Sequence, residues 1–171
     1  MAEATLTEQL LQVETQIEAL LKQKAELEQK IKQTNLAQAQ NITQCPKRIV
    51  VVGGAGKLGS LFVRLFKELG HSVSVFESED WPNASVLLQP ADLVVVSVPI
   101  NLTTQIIQQL VEHLSESTVL ADLTSIKAQP LAAMLKYHAG PVVGLHPMFG
   151  PDVPDIHDQV VAYCDGRGYE Q

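Results

Sequence analysis

With 171 residues, 46% of them apolar and 18% charged, the chain is long enough for one cored domain and an appendage. A formal net charge of −7 argues against nucleic acid or an anionic membrane surface as partner, since either favours a basic patch. Two cysteines, Cys45 and Cys164, make neither a disulfide framework nor a metal site. No apolar run approaches the ~20 residues that span a bilayer, and the polar, acidic start is unlike a signal peptide. A soluble, cytoplasmic protein with reduced thiols is the expectation.

Residues 5–32 lack proline and glycine. Leu6, Leu10, Val13, Ile17, Leu20, Leu27 and Ile31 recur at alternating spacings of four and three, with Lys24 in the one polar slot. This is a heptad seam, and a lone helix cannot bury it, so a partner helix or a second copy is expected over residues 5–32. The spacing predicts an amphipathic, coiled-coil helix over 1–33. A Gln- and Asn-rich stretch over 34–46 reads as linker, and a sheet domain is expected over 47–171.

That domain opens with Ile49 to Val52, four aliphatic residues that read as a buried parallel strand. Gly54, Gly56 and Gly59 then give G-x-G-x-x-G at a strand-to-helix corner: Gly54 for the tight turn, Gly56 for approach of a pyrophosphate, Gly59 for helix packing. With Ala55, Lys57 and Leu58 they form a candidate dinucleotide cradle, the alternative being a purely structural Gly-rich turn. The helix behind it carries Leu58, Leu61, Phe62, Leu65, Phe66 and Leu69 and stops at Gly70. A second strand, 72–76, ends at Glu77, near the offset of about 20 residues expected of a carboxylate that binds ribose hydroxyls.

Only 16 residues separate Phe76 from Leu93. A crossover helix fits there but an extra strand hardly does, so the layout is expected to be abbreviated. Further strands are predicted at 93–97, 118–122, 142–145 and 159–163, with helices over 102–114 and 130–138. Alternation of this kind argues an α/β, Rossmann-type doubly wound and mostly parallel sheet preceded by a long N-terminal helix. Three polar loops then leave strand ends on the ligand side: Ser97-Val98-Pro99, Thr124 to Lys127, and His146 onward. His146, at a strand's carboxyl end, is a candidate acid–base group. His71, His113, His138 and His157 read as structural or surface, His138 as a surface residue facing a helix C-terminus.

Four segments together carry a resemblance: Val51-Val-Gly-Gly-Ala-Gly-Lys-Leu-Gly59, Ser97-Val-Pro99, Asp122-Leu-Thr-Ser-Ile-Lys127 and Gly144-Leu-His-Pro-Met-Phe-Gly-Pro151. They are similar to the prephenate dehydrogenase family, in the form fused to chorismate mutase, over residues 47–171. The His-Pro-Met-Phe-Gly-Pro run is the specific part. The resemblance implies oxidative decarboxylation of prephenate to 4-hydroxyphenylpyruvate in tyrosine biosynthesis with a nicotinamide cofactor, NAD before NADP. His146 would take the proton of the substrate hydroxyl, Ser125 would orient hydroxyl and histidine, and Ser97, Val98 and Pro99 would line the nicotinamide–ribose passage. Lys127 is either a cation for a substrate carboxylate or a solvated surface lysine, and Asp122 is expected to anchor its loop.

The first helix resembles that of the all-helical chorismate mutases, although Thr7 and Lys24 stand where that family has arginines. The dehydrogenase family continues into a helical domain that closes the substrate cleft and forms a dimer, so an incomplete enzyme is expected. Arogenate as substrate, and a non-catalytic dinucleotide-binding module associating through its first helix, remain the alternatives.

Overall fold

The computed structural model describes residues 2–42, 45–153, 156 and 158–168; His157 lies outside them. It divides into two compact units, residues 1–44 and 45–171. The first contains one helix, α1 (Ala2–Ile42). Its seam residues Leu10, Val13, Ile17, Leu20 and Leu27 are between 49% and 63% exposed, so nothing within the described residues buries them. The side chains of Leu6 and Ile31 lie outside the described residues. Lys24 turns to its own helix and pairs with Glu28 at 3.6 Å. The helix takes in residues 34–42 of the stretch expected as linker. Residues 34–42 have no glycine or proline, and Leu36, Ala37 and Ala39 are good helix formers, so helix continues where the heptad stops.

The second unit is a six-stranded sheet of order β2-β1-β3-β4-β5-β6. In chain order its elements are β1 (Arg48–Val52), α2 (Lys57–Glu68), β2 (Ser72–Phe76), a 3-10 turn (Ser78–Asn83) with α3 (Ala84–Leu88), β3 (Leu93–Val96) and α4 (Ile100–Leu110). There follow β4 (Val119–Asp122), α5 (Ala128–Tyr137), β5 (Val142–Pro147) and β6 (Val161–Arg167). Strands β1 to β5 pair in parallel. The first crossover runs one way from β1 and the second the other way, so the order reverses between β2 and β3, as in a doubly wound sheet. The short second crossover holds the 3-10 turn and α3 and no additional strand, which gives the abbreviated Rossmann-type layout.

Alternation along the strands sorts the core into two layers. Val50, Val52, Val94, Val96, Leu120 and Val142 meet Leu88, Ile107, Leu110 and Met134 of α3, α4 and α5. Ile49, Val51, Val95, Ala121 and Val143 face the other way, toward Phe62 of α2. Each fully buried aliphatic of this kind contributes about 1.5–3 kcal/mol of transfer free energy, which is why these runs of valine become central strands.

The last strand departs from expectation in span and adds a direction the sequence had not suggested. Residues 161–167 pair antiparallel to β5, Val161 opposite Pro147 and Arg167 opposite Val142. A parallel return needs a crossover of a dozen or more residues, usually a helix; Pro147, Pro151 and Pro154 interrupt any helix in this one. Arg167 reaches from β6 to the end of α5, where its guanidinium donates to the carbonyls of Leu135, His138 and Ala139 at 2.7, 2.6 and 2.9 Å.

His138 is the other correction. It is 4% exposed rather than on the surface. Its Nε2 donates to the Thr118 carbonyl at 2.7 Å, because the turn after α5 folds the ring inward against the start of β4. His71 accepts the Lys47 amide through Nδ1 at 3.3 Å, and His113 bonds Ser85 at 2.8 Å, both structural contacts. Among the described residues no helix is long and apolar enough to cross a membrane.

Candidate functional site

Because β1 to β5 run parallel, their carboxyl ends share one edge of the sheet. The glycine turn after β1, Glu77 after β2, Ser97 after β3, Ser125 after β4 and His146 near the end of β5 all lie along it.

At the turn the left-handed residue is Gly53, at φ +76°, not Gly54. A Cβ on Gly53 would stand 2.5 Å from the Ser97 carbonyl oxygen, so only glycine lets the ends of β1 and β3 come this close. The glycine directly before the motif was the signal. Gly59 acts as expected: its Cβ would meet the Gly53 carbonyl at 2.3 Å, so the helix presses on the turn. Gly56 differs from both, since its Cβ would meet only that carbonyl oxygen, at 3.2 Å, and is otherwise open. Gly56 also caps α2, with no side-chain hydrogen bond at the cap. The first-turn N–H groups of Lys57, Leu58 and Gly59 have no intrahelical partner by helix geometry and carry the positive end of the dipole. A backbone that a ligand can approach, beside uncapped amides, fits the pyrophosphate of a dinucleotide.

Glu77 is fixed before any ligand arrives. Its Oε1 accepts the Ala55 amide at 2.7 Å, which ties β2's end to the turn after β1. Its side chain also accepts the Asp80 amide, while the Asp80 carboxylate accepts the Glu77 amide at 2.9 Å, closing a capping box. Beside it lies a cavity of about 180 Å³ lined by Glu77, Trp81, Val98, Pro99, Leu102 and Ile106. Trp81 is set there by an edge-on contact with Phe76, ring centroids 5.1 Å apart. Ser97 is held by its own amide, which donates to the Val52 carbonyl at 2.8 Å.

The turn after β4 is organised by Asp122, which is fully buried. Its Oδ2 accepts the Thr124 amide at 3.0 Å, the Thr124 hydroxyl, and the Lys127 ammonium at 2.8 Å. Lys127 is therefore neither solvated nor an open cation: its side chain is 12% exposed and paired. Sequence reasoning could not find this, because the slot for its stem is made by Gly144, where a Cβ would lie 2.8 Å from Lys127 Cδ. Ser125 sits exposed in the middle of that turn. His146 is half-buried on β5, opposite Ala162 of β6. Among the described residues neither the Ser125 hydroxyl nor the His146 ring makes a hydrogen bond, so the structure puts them on one edge without joining them.

Residues 75–166 match the family model described as prephenate dehydrogenase, nucleotide-binding domain. The chain belongs to the prephenate dehydrogenase family. Within it, 120 residues are 53% identical to the T-protein of Haemophilus influenzae, covering 70% of this chain and 32% of that protein. The T-protein of Enterobacter agglomerans is 50% identical over 127 residues, 73% of this chain and 34% of its own length. The chain thus spans about a third of the length of these relatives. Among solved structures, prephenate dehydrogenase from A. aeolicus, in complex with hydroxyphenyl propionate and NAD+, superposes with a TM-score of 0.53 at 18% identity, over 61% of this chain and 42% of that one. An imine reductase from Bacillus cereus superposes similarly, with a TM-score of 0.55 at 20% identity, over 68% of this chain and 46% of that one. Both likenesses concern the fold alone. The family match begins at Val75 and leaves α1 outside it.

Proposed function

We propose that this chain is the dinucleotide-binding part of an enzyme that oxidatively decarboxylates prephenate to 4-hydroxyphenylpyruvate, acting in the cytoplasm. The observation that carries the reading is the shared edge, where the uncapped glycine turn, Glu77 and His146 lie at the ends of β1, β2 and β5 of a prephenate dehydrogenase-family domain. Gly54, Ala55, Gly56, Lys57, Leu58 and Gly59 would hold the pyrophosphate, Glu77 the adenosine ribose, and Ser97, Val98 and Pro99 the passage toward the nicotinamide. Bound NAD supplies the hydride acceptor. The Glu77 carboxylate would repel a 2′-phosphate, which favours NAD over NADP.

His146, as neutral imidazole, accepts the proton of the substrate C4 hydroxyl, with Ser125 orienting that hydroxyl. The ring carboxylate leaves as CO₂ and the ring becomes aromatic, so the protein's task is to align the hydroxyl and keep water away. The seam on α1 would associate with a second copy.

Incubating the chain, joined to the substrate domain of a relative, with prephenate and NAD, and following absorbance of the reduced cofactor, tests the reading. Turnover supports it. NAD binding without turnover of prephenate or arogenate favours a non-catalytic dinucleotide module instead.

A further inference from the structure

The Asp122–Lys127 pair lies at the end of β4, on the same edge as the candidate site, yet belongs to none of the roles above. The six residues from Asp122 to Lys127 leave β4, turn, and enter α5, whose N-cap is Lys127 itself. Both ends of this turn are held by one residue. Lys127 Nζ donates to the Asp122 carboxylate at 2.8 Å and to the Asp122 carbonyl at 3.2 Å, while Thr124 closes onto the same carboxylate oxygen. The neighbouring Leu123 amide donates to the Val96 carbonyl at 3.0 Å, so the turn is also tied to β3 just before Ser97.

Two further facts give the pair a direction. Asp122 stands opposite Gly144 in the β4–β5 register, two residues before His146, and the lysine stem fills the space that Gly144 leaves. The other carboxylate oxygen, Oδ1, is buried with no hydrogen-bond partner among the described residues. Lys127 is thus the cation that compensates this buried carboxylate, and a buried charge left without its partner is strongly unfavourable. The ammonium cannot leave to meet a ligand without exposing that cost.

We propose that Lys127 is a positioning residue: locked on Asp122 and bedded on Gly144, it sets the Ser125 turn against the strand that carries His146. The proposal rests on the assignment of Ser125 and His146 to the site. It makes Lys127 a strut between β4, α5 and β5, acting on the reaction through Ser125 and His146 and not by touching substrate.

The test is an NMR comparison of the full 171-residue chain with its Lys127→Met variant, which keeps the stem and removes the charge. The expected result is movement of the Thr124 and Ser125 amide signals and of the His146 ring signals. Signals of Gly54 to Gly59 and the affinity for NAD, measured by calorimetry, stay unchanged. If the Thr124, Ser125 and His146 signals stay where they are, Lys127 positions nothing and the proposal is overturned. Displacement throughout the sheet, the glycine turn included, overturns it equally, because the pair would then be plain fold stability. Should Lys127→Met not fold, the combined Asp122→Asn, Lys127→Met variant leaves no lone buried charge and is judged by the same signals. None of these signals needs turnover. Failure to oxidise prephenate by the chain joined to a relative's substrate domain refutes the proposed reaction and leaves this test standing.

Discussion

The Glu77 carboxylate accepts the Ala55 amide at 2.7 Å, so the residue proposed to hold the ribose also braces the turn proposed to hold the pyrophosphate. Two variants separate these duties. Glu77→Gln keeps an acceptor for Ala55 and removes the charge, so it should narrow the preference for NAD over NADP with little loss of stability. Glu77→Ala loses both, and a charge-assisted hydrogen bond of this kind is worth about 1.5–3 kcal/mol, so NAD binding should weaken about tenfold or more. Calorimetric titration of both cofactors reads the outcome. Equal behaviour of the two variants would mean that the brace contributes nothing.

Gly53 and Gly56 should respond oppositely to one methyl group. Gly53→Ala forces a side chain into φ +76° and onto the Ser97 carbonyl; strained backbone of this type costs about 1–3 kcal/mol, before the clash is counted. Denaturant unfolding should show that loss. Gly56→Ala meets only one carbonyl at 3.2 Å, so it should fold nearly normally and lose NAD affinity instead.

His146→Asn should abolish turnover without loosening the cofactor. Its strand lies three places from β1 in the sheet, away from the glycine turn. Removing an acid–base group costs about 10²–10⁴-fold in rate, measurable in this chain joined to the substrate domain of a relative. Near-normal turnover in the variant would remove His146 from the mechanism.

Asp92 gives an acid-side prediction. Its carboxylate accepts the Arg48 amide at 2.7 Å and faces the Arg48 side chain at 3.7 Å, and these hold its pKa below the ordinary carboxylate value. A group depressed in the folded state contributes stability above its unfolded pKa and loses it as pH falls through its folded pKa. Asp92→Asn should therefore lower the melting temperature near neutrality, and the gap to the parent chain should close in that acidic window. A gap independent of pH would show that the charge is not what matters.

The seam of α1 should drive self-association. Replacing Leu10, Ile17 and Leu20 with Asp should lower the mass seen in analytical ultracentrifugation, because each is more than half exposed and unburied within its own unit. An unchanged mass would mean that these residues hold no copies together.

What could be read from the sequence was what periodicity and turn chemistry encode locally. The valine runs of β1 and β3, the stripe of α2 and the alternation of strands with helices all follow from spacing, and so does the placing of His146 at a strand end. What escaped depends on residues far apart in the chain. Lys127 looks like any surface lysine until Gly144, seventeen positions on, is seen to leave its slot empty. His138 turns inward because Thr118, just ahead of β4, offers a carbonyl. Gly53 resembles the end of a strand until Ser97 comes beside it. The antiparallel course of β6 rests on the prolines that deny its connection a helix.

Arg167 has a further consequence for how the chain assembles. The three carbonyls it holds belong to residues 28 to 32 positions earlier, at the end of α5. A chain emerging from the ribosome presents that helix terminus with its carbonyls open, and their cationic partner arrives only when β6 has been made. The terminus can close no sooner than β6 has laid itself beside β5. The end of α5, β5 and β6 therefore come together in a single late event of biogenesis, after the glycine turn and its helix have already been synthesised.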